Sequence, residues 1–238
     1  NEALQRLQPQ LALDDPRLLA ANTYLGLVES YRGELSAAET RLRGVAVQEQ
    51  TRADMALSQR LTTLRYLARV QRWQGRADEA ISLLSEVQTQ LGEQFQTLPA
   101  SLRLRLSVEL ALAYIDDAKL ELAQAQIGMA VASYPEPSQP SELDQAQILL
   151  TQARLALAFA DFTSARERAA AALLRLEQQL SAGHWDIGEA RSVLSMAQWG
   201  KSQDGAARSA LRSALDWQIT QRPWHPDTAR LQVLLETR

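Results

Sequence analysis

The stretch Leu25-Gly26-Leu27-Val28-Glu29-Ser30-Tyr31-Arg32-Gly33-Glu34-Leu35-Ser36-Ala37-Ala38-Glu39-Thr40-Arg41-Leu42-Arg43-Gly44-Val45 decides the fold, because its spacing returns four more times along the chain. Counted on Ala38, the recurrence runs through Ala80, Ala123, Ala165 and Ala207, at intervals of 42, 43, 42 and 42 residues. Four residues after each alanine stand Leu42, Leu84, Ile127, Ala169 and Leu211, and seven after stand Val45, Val87, Ala130, Ala172 and Ala214. All ten are apolar in a chain that is 46% hydrophobic, an agreement that chance gives on the order of one time in a few thousand. Five residues before each alanine come Gly33, Gly75, Ala118, Ala160 and Ser202, all small, and thirteen before come Leu25, Leu67, Leu110, Gln152 and Leu194.

The offsets of four and seven place three residues on one face of a helix. The leucine lies on a preceding helix and the small residue marks the turn between the two, so each unit reads as a helical hairpin. A small side chain at the alanine lets the paired helices approach closely. One hairpin cannot bury its own apolar face, and five must stack to do so. The rest of the composition agrees. Alanine, leucine, glutamine, glutamate and arginine dominate, and no alternating run of β-branched and aromatic residues suggests a strand. The expected fold is all-α, a right-handed solenoid of stacked hairpins.

The residues of this pattern resemble the tetratricopeptide repeat family. Tyr24-Leu25-Gly26, Gly33, Leu35, Ala38, Leu42 and Val45 reproduce its leucine-glycine, turn-glycine, alanine and bulky-apolar order. The second repeat supplies Leu64, Leu67, Ala68, Gly75, Ala77, Ala80, Leu84 and Val87, and the third Leu110, Tyr114, Leu120, Ala123, Ile127, Ala130 and Pro135. Repeats four and five depart from it, with Gln152 at the leucine position and Asp204 at the apolar turn position. A period near 42 rather than about 34 is similar to the long-helix variety of kinesin light chains and of bacterial regulators and kinases, as is the phrase His225-Pro226-Asp227-Thr228-Ala229. The resemblance implies a non-enzymatic module without a cofactor, binding a protein or peptide in a groove lined by the first helices. The alternative is a ligand- or peptide-responsive sensor domain whose curvature signals to a fused domain.

The phase places residues 1–8 as the tail of a preceding second helix and 226–237 as a first helix without its partner, so both ends read either as cut from a longer array or as capped by half-units. Pro135-Glu136-Pro137-Ser138-Gln139-Pro140-Ser141 is a stiff connector. It divides an expected region 1–134, holding repeats one to three, from a region 142–238 holding repeats four, five and the terminal half-unit.

With 25 basic and 28 acidic residues the net charge is −3, and no global field draws the protein to nucleic acid or an anionic membrane. No run approaches the roughly 20 apolar residues of a membrane span, so neither nucleic-acid binding nor membrane insertion is expected of this segment. There is no cysteine, which removes thiol chemistry and disulfides and leaves the compartment open. His184 with Asp186 and His225 with Asp227 could suggest metal ligands, but 41 residues separate the histidines, one repeat. Each pair reads better as a helix start capped by its aspartate. Acid pairs such as Asp14-Asp15 and Asp116-Asp117 fall at turns, and Gly200-Lys201-Ser202 lacks the rest of a phosphate loop.

One face carries recognition chemistry. Arg65, Arg69 and Arg72 recur at four and three on the first helix of repeat two, with Tyr66 and Trp73 beside them. By phase, Leu27 and Tyr31 of repeat one, Arg105 of repeat three and Arg154 of repeat four face the same groove. Guanidinium groups beside aromatic rings suit carboxylates and aromatic side chains, so the expected partner segment is acidic and contains aromatics. Met196, Trp199, Trp185, Trp217 and Trp224 read as packing residues.

Overall fold

A computed structural model of the chain describes residues 14–134 and 139–236. The expected half-unit at 1–8 therefore lies outside the described residues. Twelve helices follow one another, and no strand occurs among the described residues. They are α1 (Pro16–Tyr31), α2 (Leu35–Thr51), α3 (Leu57–Trp73), α4 (Ala77–Leu91), the single turn α5 (Gln94–Thr97), α6 (Ala100–Asp116), α7 (Leu120–Ala132), α8 (Glu142–Ala158), α9 (Phe162–Gln179), α10 (Trp185–Ser202), α11 (Gly205–Gln221) and α12 (Pro226–Glu236). Two compact units result, Asn1–Leu102 and Arg103–Arg238. The first holds the hairpins α1–α2 and α3–α4. The second holds the remaining hairpins and α12.

In both units a second helix packs on its own first helix and on the first helix of the next repeat: α2 on α1 and α3, α9 on α8 and α10, α11 on α10 and α12. All fifteen inward positions of the repeat are buried, from Ala38, Leu42 and Val45 to Ala207, Leu211 and Ala214. A further column lies twelve residues before each alanine: Gly26, Ala68, Ala111, Ala153 and Ser195 are all buried. This column makes the close approach possible. A Cβ added at Gly26 would lie 2.7 Å from Cγ of Leu42, so a larger residue there would push α1 off α2. In the second unit one continuous core runs through α8 to α12, from Ala146 and Leu150 through Met196, Trp199 and Leu211 to Leu231. The last described helix, α12, packs on α11 and α10.

The turns share one geometry. Gly33, Gly75, Ala118 and Ala160 all have positive φ, between 55° and 81°. In each, the left-handed residue donates its N–H to the carbonyl three back, and the next residue donates to the carbonyl five back, as in Ala118→Ile115 (3.1 Å) and Lys119→Tyr114 (2.8 Å). These paired bonds satisfy the carbonyls orphaned at the helix end. The fifth repeat corrects the sequence reading. Ser202 is the last residue of α10 and the left-handed position falls on Gln203, φ 48°. The reason is local: the turn is one residue shorter, Gln203 N–H bonds to Trp199 O, and Asp204 then caps α11 by accepting from Ala207 N–H at 2.8 Å.

Candidate functional site

The first helices of repeats one and two, α1 and α3, set the site in the first compact unit, and they pack directly on each other. Successive turns of α3 present Arg65, Arg69 and Trp73 in line, since a spacing of four returns to the same face. Arg65 Cζ lies 4.4 Å from the centroid of the Tyr66 ring. Arg69 Cζ lies 5.8 Å from the Trp73 ring and 6.0 Å from that of Tyr66. From α1, the Tyr31 hydroxyl accepts a hydrogen bond from Arg69 Nη1 at 3.1 Å, and its ring stands edge-on to Trp73 at 5.4 Å. Tyr24 meets Tyr66 edge-on at 6.4 Å and is 55% exposed. Leu27 packs against the buried Tyr66, Leu67 and Val70. The arrangement alternates guanidinium groups and aromatic edges across two helices. Arg65 and Tyr66 are buried beneath it, whereas Arg69, Arg72, Trp73 and Tyr31 are half-buried. Leu27, Tyr31, Arg65, Tyr66, Arg69, Arg72 and Trp73 are thus brought together on one helix pair. Tyr24, which sequence reasoning did not assign to the face, lies four residues before Val28, also exposed; that spacing was its signal.

Arg105 and Arg154 belong to the second compact unit, and each has acidic partners there. Arg105 Nε stands 3.5 Å from Asp144 Oδ1. Arg154 was expected as a groove cation, but it is nine-tenths buried and bonds Asp227 through both terminal nitrogens (2.5 and 3.1 Å) and Glu189 Oε1 (2.8 and 3.2 Å). The reason is the half-unit α12, whose Asp227, wholly buried, needs a cation. Arg230 extends the chain of charge from Asp227 to Asp116 at 3.1 and 3.0 Å. Burial alone would raise both carboxyls. Arg154 and the neighbouring cationic groups together outweigh it, holding Glu189 down at about 2 and Asp227 well below the usual range.

The histidines cap helices, but the roles within each pair are the reverse of those expected. His184 Nδ1 accepts from Asp186 N–H, and His225 Nδ1 from Asp227 N–H, each at 3.2 Å. An accepting Nδ1 requires the neutral ring. Burial pushes His225 down to about 4, against the raising effect of Asp227 and with the help of Arg222. Met196 and Trp199 are buried in the core, and Trp217 packs its ring on Gly188, where an added Cβ would lie 2.1 Å from it. Among the described residues no three His, Cys, Asp or Glu side chains gather as a metal site, and no helix is long and apolar enough to cross a membrane.

Hairpins in 42-residue register, turned by left-handed small residues and packed through a small-residue column, define a tetratricopeptide-like helical-repeat fold. Solved structures of that kind are similar over nearly the whole chain. A kinesin light chain of Podosopora anserina with nearly identical TPR-like repeats is 23% identical, with a TM-score of 0.53 over 87% of this chain and 98% of that one. A single-residue variant of that protein gives 21% and 0.54 over 89% and 98%. BtubC (BKLC) from P. vanneervenii is 19% identical, with a TM-score of 0.60 over 94% of this chain and 89% of that one. No protein-family model and no curated protein matches the sequence.

Proposed function

We propose that this chain is a protein-interaction module and that the α1–α3 face of its first compact unit binds an acidic, aromatic-containing segment of a partner. The observation that carries the reading is the position of Arg69: its guanidinium is fixed by the Tyr31 hydroxyl and lies beside the Trp73 and Tyr66 rings. A guanidinium held in this way loses little freedom when it pairs with a carboxylate, and the neighbouring rings offer edges to an incoming aromatic side chain. The chain is net negative, so attraction of an acidic partner arises locally and weakens with salt. Anisotropy of a fluorescein-labelled Asp- and Glu-rich peptide carrying one tryptophan tests it. Arg69→Glu should abolish binding, while the same reversal at exposed Arg166, on α9 of the second unit, should leave it intact. Equal binding by the two variants would overturn the proposal.

A further inference from the structure

In the first compact unit a pocket of about 240 Å3 opens between the C-terminal ends of α2 and α4 and the start of α3. Its walls are apolar, from Leu57, Leu61, Leu64 and Val87, with Glu49 and Arg60 as its charged lining. Glu49 is fully buried. One of its oxygens is saturated: Oε1 accepts from Thr63 Oγ1 at 3.1 Å and from Gln59 Nε2 at 3.2 Å, and Thr63 in turn shares a 2.8 Å hydrogen bond with Thr23. The other, Oε2, has no hydrogen-bond partner among the described residues. A buried carboxylate oxygen without a donor is costly and rarely retained without use.

The surroundings sharpen the cost. Glu49 occupies the last turn of α2, where the helix carbonyls already present negative potential. Burial pushes its carboxyl above the ordinary range in spite of the bonds from Thr63 and Gln59. Both the free oxygen and the local field call for a cationic donor. Arg60 lines the same pocket from the first turn of α3, whose N-cap residue Ala56 makes no side-chain cap bond. It feels the charge of Glu49 without forming an ion pair with it. Two opposite charges and several leucine side chains line one small pocket and match a ligand with the same three features.

We infer that this pocket binds a free aliphatic α-amino acid, its ammonium on Glu49 Oε2, its carboxylate at Arg60 and the start of α3, and its side chain among Leu57, Leu61, Leu64 and Val87. The size agrees: the pocket falls below the roughly 300–1,000 Å3 of drug-sized sites. A zwitterion also leaves neither of the two lining charges unmatched, which a simple amine or fatty acid would do. The pocket lies apart from the peptide face and stands independently of the proposed function.

Calorimetric titration of the full 238-residue chain with L-leucine, leucinamide, 4-methylpentanoate and 3-methylbutylamine tests the inference. L-leucine should bind once per chain, and each of the three analogues at least tenfold more weakly. Glu49→Gln should lose at least tenfold in leucine affinity and bind leucine no better than it binds 4-methylpentanoate. Arg60→Gln should lose as much, and should no longer distinguish leucine from leucinamide. Glu49→Gln removes a buried charge at constant shape, so its unchanged or raised melting temperature separates lost binding from lost fold. Absence of saturable leucine binding to the parent protein, equal affinity in the two variants and the parent, or an amine that binds as well as leucine would each overturn the inference.

Discussion

Lowering the pH should destabilise the second compact unit through His225 before Asp227 and Glu189 begin to lose their contributions. The ring is 4% exposed and its Nδ1 accepts the Asp227 N–H, so a proton there would break the cap. Folding moves the group from its ordinary 6.5 down to about 4, and the unfolded chain therefore takes up the proton first. Stability is full above pH 6.5 and falls as the pH drops from 6.5 toward 4. Linkage puts the loss at about 1.4 kcal/mol between about pH 7.5 and 5.5 and about 2.5 kcal/mol by about pH 4.5. Asp227, Glu189, Arg154 and Arg222 supply the other charges acting on the ring. The two carboxylates have lowered values, so their contributions begin to fall only near the ordinary carboxylate range, leaving the window from about 7.5 to 5.5 to histidine. His225→Asn, which can still accept a backbone N–H at the cap, should flatten that part of the profile. Urea denaturation of the parent and this variant across the pH range measures it. A slope in His225→Asn equal to that of the parent would refute the reasoning.

Further substitutions probe the turns and the buried ion cluster. Ala118→Gly and Ala160→Gly should each raise stability by about 0.5–1 kcal/mol, since both alanines are left-handed and that strain exceeds the chain entropy a glycine adds. Gly75→Ala, whose new Cβ meets nothing within 4 Å, should lose about 1 kcal/mol on conformation alone; thermal melts read all three. Arg154→Met should cost about 3–5 kcal/mol by stranding buried Asp227, and a loss under about 1 kcal/mol in urea denaturation would show that Arg230 suffices.

The fold was legible because a repeat samples the same physical constraint five times. Ala38 alone says little, but its four returns with apolar partners at four and seven fix helix, face and turn together. The small-residue column from Gly26 to Ser195 was readable by the same count, one position beyond the leucines. The turn of repeat five was not, because Ser202 satisfies the small-residue pattern while the shorter turn puts Gln203 in the left-handed position. On the site, helical spacing joined Arg65, Arg69 and Arg72 with Tyr66 and Trp73 beside them, and the phase of the repeat brought Tyr31 to the same face. Phase could not separate the exposed from the buried arginine. Arg154 occupies a first-helix position like the others, and only the packing of α12 against α10 turns it into the counter-ion of Asp227. The Glu49 pocket had no sequence signal, because Thr23, Glu49 and the α3 pair Gln59 and Thr63 come from three helices of two repeats and meet only through packing.

Photo-crosslinking tests the central claim most directly. The acidic, tryptophan-bearing peptide, carrying a diazirine beside its tryptophan, is irradiated on the parent protein and the adducts are mapped by mass spectrometry. The account predicts adducts confined to 24–31 and 65–73, lost when Arg69 is replaced by glutamate. Adducts concentrated on α2, α4 or the exposed side of α9 around Arg166 would contradict it.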